Sequence, residues 1–346
     1  MSRRVLAIVA ALALLAPVLS GCGLERAEAS GTSVVTSFYP LAYVAKRIAG
    51  DHARVVNLTH PGQEPHDIEL TVRQTAEVVD ADVVLYEKGF QAAVDQAVQE
   101  DGPRHVVDAA RSAHLSGEDP HFWLDPTRLA TVATAFERQL AEVDPAHAAD
   151  YARNLDGLRR DLHRLDLAYR SGLATCRVRT IVVSHDAFAY LGRRYHLRVV
   201  GINGLSPDAE PSPFHVREIQ SLIRREGITT VFSEQLASRA FARSIAGDLG
   251  IGSAVLDPIE GLSEQTADQD YLSLMRRNLV TLRKANQCSR TLPTQPPTPP
   301  SWRSGTGPSS SAVVRSCGAS TSPSAPGRCA RSSAPTAPAS PRWCAR

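Results

Sequence analysis

Residues 180–202 read TIVVSHDAFAYLGRRYHLRVVGI, and this stretch decides the fold class. Residues 180–183 and 199–202 are short apolar runs rich in β-branched side chains, which is typical of buried strands. A helix-like segment opens at His185 and separates them. A strand, a helix and a second strand in this order predict a right-handed crossover and parallel pairing.

The same alternation runs through the chain on both sides of a central helical region. The other strand-like runs are residues 34–36, 55–58, 83–86, 105–107, 230–232 and 254–256. Helix-like segments, such as residues 41–48, lie between them. The sequence therefore predicts an α/β protein with two lobes, at residues 34–125 and 173–288. Each lobe is expected to hold a roughly four-stranded parallel sheet flanked by helices.

Residues 126–172 between the lobes predict a long, rigid linking helix. Asp125 supplies a capping carboxylate, and Pro126 takes the first helical position. After Asp144-Pro145, apolar residues recur at steps of four and three, which predicts an amphipathic helix of at least five turns. The members of this stripe are Tyr151, Leu155, Leu158, Leu162, Leu165 and Tyr169. We expect a helix in this place to limit closure of the lobes on a ligand.

The charge balance argues against a nucleic-acid partner. The formal charge of +2 hides an uneven distribution, because seven Arg and no Lys, Asp or Glu follow Cys288. The first 288 residues carry 31 basic and 36 acidic groups. No basic surface able to grip phosphates is predicted from this composition.

The N-terminus has the parts of a lipoprotein signal peptide, predicted for residues 1–21. Arg3 and Arg4 precede an apolar run from Val5 to Leu19, which is shorter than a spanning helix. Residues 19–22 read LSGC and resemble the bacterial lipobox, in which Cys22 becomes the lipidated N-terminus. Residues 22–33 would form a flexible tether, so the protein would work outside the cell membrane, anchored by acyl chains. An ordinary cleaved signal is the alternative.

Two of the six cysteines belong to the expected mature core. They are Cys176 and Cys288, and in an oxidising compartment they predict a disulfide. Two separate free thiols are the alternative. Three more cysteines lie in residues 289–346, a tail with 11 Pro and 13 Ser among its 58 residues. This composition predicts disorder, and it is also what a frameshift or read-through of a GC-rich gene would encode.

Three of the eleven histidines stand apart by their context. His66 lies in a Pro/Gly-rich loop before a helix, His121 lies in a loop before the helical region, and His185 follows a strand. Asp257 also follows a strand. In open α/β sheets, ligands bind beyond the carboxyl ends of the strands. If these four residues converge, they suit a four-coordinate Zn²⁺ site, although spacing alone cannot establish that they do.

Six segments together resemble one known family, the metal-binding lipoproteins of bacterial ABC importers for zinc and manganese (cluster A-I solute-binding proteins). The segments are EPHDIELT (64–71), DPHFWLDP (119–126), VVSHDAFAYLGRRY (182–195), GLSPDAEPSP (204–213), VFSEQ (231–235) and LDPIEGL (256–262). The resemblance runs from about Val34 to Cys288. It implies two α/β lobes bridged by a long helix, with the metal between them.

The resemblance also implies the metal ligands, which are His66, His121, His185 and Asp257. Histidine at the third position resembles the zinc pattern, whereas glutamate would resemble the manganese pattern. His60 and Glu64 would support His66 or form an entry site, with structural roles as the alternative. Glu234 is interpreted as a helix-capping or lobe-bracing carboxylate. The family's His-rich loop is missing or vestigial, because residues 109–118 contain only His114.

The function implied is capture of zinc outside the membrane and its delivery to an ABC permease, by a monomer that catalyses no reaction. One alternative is a manganese or iron importer component. Another is a zinc hydrolase, in which Asp257 would not coordinate and water would fill the open position. A surface adhesin is the third alternative.

Overall fold

The computed structural model describes residues 31–289 except residues 101, 116, 237 and 238. The predicted signal peptide, Cys22, most of the tether and all of the tail after Ser289 lie outside the described residues. No helix in the described part of the chain is long and apolar enough to cross a membrane.

The first half of the chain forms a four-stranded parallel sheet. Its strands are β1 (Thr32–Thr36), β2 (Ala53–Asn57), β3 (Val83–Tyr86) and β4 (Val106–Asp108), in the order β2-β1-β3-β4. The helices between and after them are α1 (Tyr39–Ala49), α2 (Val72–Val79), α3 (Ala92–Glu100) and α4 (Ala109–Ser112). The start of α2 follows from its sequence, because Thr71 and Gln74 form a reciprocal capping box.

The second half repeats this topology. Its strands are β5 (Thr180–Val183), β6 (Arg198–Gly201), β7 (Thr230–Ser233) and β8 (Gly252–Val255), in the parallel order β6-β5-β7-β8. The helices of this half are α7 (Ala189–Tyr195), α8 (Pro213–Glu226), α9 (Ala240–Leu249) and α10 (Tyr271–Ala285). In each sheet the second strand pairs with one side of the first strand, and the third strand pairs with its other side. The gaps between β1 and β3 and between β5 and β7 are therefore the topological switch points, where ligands bind in such folds.

Two helices connect the halves, α5 (Pro126–Val143) and α6 (Ala148–Leu173), with a short 3₁₀ turn at Pro145–His147 between them. The predicted helical region is therefore interrupted at Asp144-Pro145, and the long amphipathic helix is its 26-residue second part. Pro145 has no backbone N–H to donate to a helical hydrogen bond, which explains the break. Helix α6 packs on α1 from the first half and on α10 from the second.

Both faces of each sheet are buried, in agreement with its parallel pairing. Val34 and Ile181 face a large core that also includes α5 and α6, while Val35 and Val182 face smaller cores on the outer sides. The two halves thus share one hydrophobic core, and all the described residues belong to one compact unit. The predicted α/β fold, with two four-stranded parallel sheets and a long helix, is confirmed. The lobe boundaries at residues 125 and 173 and the limited closure stay predictions.

The predicted disulfide is present between Cys176 and Cys288. Cys176 lies just after α6, and Cys288 lies just after α10. Backbone hydrogen bonding between Val178 and Asn286 joins the same two segments. The bond therefore ties the end of the second half to the end of the linking helix.

Candidate metal centre

Four side chains converge in the crevice between the two halves: His66, His121, His185 and Glu260. One potential ligand atom from each lies within 4.8 Å of all the others. Glu260 Oε1 is 3.0 Å from Nε2 of His121, 3.3 Å from Nε2 of His185 and 3.6 Å from Nε2 of His66. Three imidazole nitrogens around one carboxylate oxygen form a donor set that suits a tetrahedral divalent cation.

Each half contributes two of these residues, and all four lie in loops. His66 lies between β2 and α2, and His121 begins the 3₁₀ turn Phe122–Leu124. His185 directly follows Ser184 at the end of β5, and Glu260 lies in the loop after β8. The carboxyl ends of parallel strands meet at one edge of a sheet, so the two sheets present these loops to the same crevice.

The cluster is almost closed to solvent. His121, His185 and Glu260 are buried, and only His66 keeps part of its ring exposed. The ring of His66 packs edge-on against Phe90, which in turn contacts Phe38 and Trp123. This apolar wall lowers the local dielectric and strengthens the electrostatic interaction between the carboxylate and any cation bound there.

Two further carboxylates orient the buried imidazoles. Nδ1 of His185 is 2.7 Å from Oε1 of Glu234, and Nδ1 of His121 is 2.9 Å from Oδ1 of Asp119. An imidazole whose Nδ1–H donates to a carboxylate presents the lone pair of its Nε2, and this contact also makes the ring a better ligand. Glu234 therefore holds His185 directly, whereas the sequence interpretation gave it a capping or bracing role.

The fourth predicted ligand, Asp257, is not part of the cluster, and Glu260 takes that place. Oδ1 of Asp257 accepts the backbone N–H of Ile259, and its Oδ2 is 3.2 Å from Nη2 of Arg277. Both oxygens are thus engaged away from the imidazoles. The sequence could not show this, because the two acids share one loop and Arg277 lies 20 residues after Asp257.

The two residues expected to support His66 differ in their placement. Oε1 of Glu64 accepts the backbone N–H of His66 at 3.2 Å. Burial, together with the charge of Glu260, raises the pKa of Glu64 to about 7. His60 is exposed and lies outside the four-residue cluster. The supporting role predicted for these two residues stays a prediction. Of the two, Glu64 is the one with a hydrogen bond to His66 among the described contacts.

Hydrogen bonds and charge pairing within the metal-free cluster shift the pKa values of its members. Burial lowers the pKa of His185, but hydrogen bonds to Glu234 and Glu260 outweigh it and raise that pKa to about 10. Burial acts on His121 in the same way, and its contacts with Asp119 and Glu260 raise its pKa above the usual value. Burial would raise the pKa of Glu260, yet the three imidazoles hold it well below the ordinary range. These shifts favour protonated His185 and His121 beside an ionised Glu260, in competition with a cation.

The fold and the cluster define a class: a two-lobed solute-binding protein with a candidate metal centre in its crevice. The chain belongs to the family described as "Zinc-uptake complex component A periplasmic", whose model matches residues 34–285. It is thus a member of a zinc-uptake binding protein family, and its relatives are named as zinc-binding or zinc-uptake proteins rather than as enzymes.

Relatives of known sequence and structure agree with this assignment. The chain is 31% identical over 295 residues to the zinc-binding lipoprotein AdcA of Streptococcus pneumoniae serotype 4, covering 78% of this chain and 59% of that protein. It thus spans a little over half the length of this relative. It is 29% identical to the high-affinity zinc uptake system protein ZnuA of Bacillus subtilis, covering 80% of this chain and 95% of that protein.

The crystal structure of the Zn(II)-bound ZnuA-like domain of Streptococcus pneumoniae AdcA superposes with a TM-score of 0.66 at 31% identity. The match covers 74% of this chain and 99% of that domain. The resemblance inferred from the six sequence segments is therefore confirmed at the level of family and fold.

Proposed function

We propose that the protein captures Zn²⁺ outside the cytoplasmic membrane and delivers it to the permease of an ABC importer. The observation that carries the proposal is the convergence of His66, His121, His185 and Glu260 on one point. The ligand set proposed here keeps the three predicted histidines and replaces Asp257 with Glu260. The names of the zinc-binding relatives support zinc as the cargo.

The donor chemistry favours zinc over manganese. Imidazole nitrogens suit Zn²⁺, whereas Mn²⁺ prefers sets rich in oxygen. The cluster offers three nitrogens, and its fourth ligand atom is one carboxylate oxygen. Four protein ligands fill a tetrahedral shell and leave no open position for a reactive water, which argues for binding rather than hydrolysis.

A metal titration of the full chain tests this proposal. After chelator treatment, calorimetry is expected to show one tight Zn²⁺ site with a dissociation constant of about 1 nM, which corresponds to a standard binding free energy of about −12 kcal/mol. Mn²⁺ is expected to bind much more weakly to the same protein. Equal or tighter binding of Mn²⁺ would contradict the zinc assignment, and the absence of any stoichiometric site would contradict the convergence itself.

Binding of zinc is expected to release protons and to weaken as the pH falls. A pKa of about 10 favours the imidazolium form of His185 in the metal-free protein at neutral pH, and the raised pKa of His121 acts in the same direction. A ring that binds zinc through Nε2 is neutral and keeps only its Nδ1 proton, so the apparent affinity rises with pH below these pKa values, by about tenfold per pH unit for each proton displaced. The pH range over which affinity rises therefore extends above the reference histidine pKa of about 6.5.

Calorimetry in two buffers of different ionisation enthalpy at pH 7.5 measures the proton release. The two apparent binding enthalpies are expected to differ by the difference in buffer ionisation enthalpy multiplied by the number of protons released per Zn²⁺, which is expected to be at least one. Identical enthalpies would show that the imidazoles are already neutral in the metal-free protein, and that the raised pKa values are wrong.

The site of action follows from the same proposal. Cys22 would carry acyl chains that anchor a monomer to the outer face of the cell membrane, next to its permease. The relatives' lipoprotein name supports this placement, although Cys22 itself lies outside the described residues. Partitioning of wild type, but not of Cys22→Ser, into a detergent phase is the outcome expected of a lipid anchor.

A further inference from the structure

Asp257 is a buried carboxylate that the four-ligand cluster leaves without a role. It lies three residues before Glu260, in the loop after β8. A buried carboxylate is costly unless it is paired, so its partners indicate what it does.

The side chain and the backbone of Asp257 are both held in place. Oδ1 accepts the N–H of Ile259 at 2.8 Å, and Oδ2 lies 3.2 Å from Nη2 of Arg277. The backbone N–H of Asp257 donates to Oδ1 of Asn278 at 3.0 Å, and its carbonyl accepts from Nδ2 of the same side chain at 2.6 Å. Arg277 and Asn278 both lie on α10, so this helix fixes the start of the loop through three contacts, one from Arg277 and two from Asn278.

The loop needs such support because its backbone is strained just before the ligand. Ile259 has a φ of 60°, which is a left-handed conformation that a β-branched residue rarely adopts. Its N–H is the group that Asp257 holds, and Glu260 is the next residue. On the other side of the crevice, Nε1 of Trp123 donates to the carbonyl of Pro258 at 2.7 Å. The unusual turn therefore determines where the Glu260 side chain begins.

We propose that Asp257, clamped by Arg277 and Asn278, is a positioning residue that holds the 257–260 turn so that the Glu260 carboxylate reaches the three imidazoles. This inference rests on the proposed zinc function and assigns Asp257 a role distinct from that of a ligand. Arg277 keeps the second oxygen of Asp257 occupied, so the metal meets a single acidic ligand from this loop.

A double-mutant cycle on the full chain tests the inference, with zinc affinity measured by calorimetry or chelator competition. Asp257→Ala is expected to weaken zinc binding about 10- to 100-fold, the usual cost of removing a group that orients a metal ligand. In the Glu260→Ala background the same substitution is expected to cause no further weakening, because the ligand that it positions is already gone. Asp257→Asn keeps an acceptor for the Ile259 N–H and is expected to weaken binding less than alanine does.

Two more variants keep the test decisive. Arg277→Met removes one arm of the clamp from a partly exposed position, so it reports on the same coupling if Asp257→Ala does not fold. Asp268→Ala is the control, because it removes an exposed carboxylate that also lies between β8 and α10. It is expected to leave zinc affinity unchanged.

The outcomes separate this inference from the proposed function. Equal weakening by Asp257→Ala in both backgrounds would mean that Asp257 is itself a ligand or acts on the whole fold, and would overturn the inference. Unchanged affinity in the Asp257→Ala and Arg277→Met variants would also overturn it. Failure of the wild type to bind zinc would instead contradict the proposed function.

Discussion

Zinc affinity is expected to fall by more than about 100-fold when His185 is replaced by alanine. Removal of groups that merely orient a ligand costs about 10- to 100-fold, and loss of a ligand costs more. The substitution deletes Nε2, which lies 3.3 Å from both Nε2 of His121 and Oε1 of Glu260. It also leaves the buried carboxylate of Glu234 without its imidazole partner. Calorimetric titration of the chelator-treated variant measures the effect.

A matched substitution controls for the general effect of losing a histidine. His163 is exposed on α6 and lies outside the cluster, so His163→Ala is expected to bind zinc like wild type. The thermal transition of both metal-free variants shows whether the fold survives. Wild-type zinc affinity in a folded His185→Ala protein would refute the ligand assignment.

Loss of the disulfide is expected to cost about 4 kcal/mol of folding free energy, or roughly 10 °C in Tm. The bond between Cys176 and Cys288 closes a loop with a sequence separation of 112 residues, so its removal frees a large number of unfolded conformations. Differential scanning calorimetry of the Cys176→Ser/Cys288→Ser double variant measures the loss.

Reduction of the wild type supplies the control for that experiment. A reductant is expected to lower the wild-type Tm to that of the double variant and to leave the double variant unchanged. The wild type is incubated with reductant in denaturant, so that a buried disulfide becomes accessible, and is then refolded. A Tm that is unchanged by this treatment would show that the two cysteines are not bonded in solution. Zinc affinity is expected to change little, because neither cysteine belongs to the metal cluster.

The fold could be predicted from sequence because its signals are local. Runs of β-branched residues such as 180–183 set the strands, and alternation with helices sets parallel pairing. The apolar stripe from Tyr151 to Tyr169 set the long helix, although the helical region proved to be divided at Pro145. The shared core that joins the two halves had no local signal in the sequence. It forms because one face of each sheet packs against α5 and α6, which are distant in sequence from most of the strands.

Local pattern and composition were enough to predict the α/β class, the three histidines that stand apart in loops, and the cysteine pair. The fourth member of the cluster could be identified only in the folded chain. Asp257 and Glu260 are carboxylates three residues apart on one loop, and no spacing rule separates them. Arg277, brought near by α10, engages Asp257, and the left-handed turn at Ile259 directs Glu260 to the imidazoles. Which of two neighbouring carboxylates joins such a cluster depends on competition among partners that are distant in sequence, and these partners come together only when the chain folds.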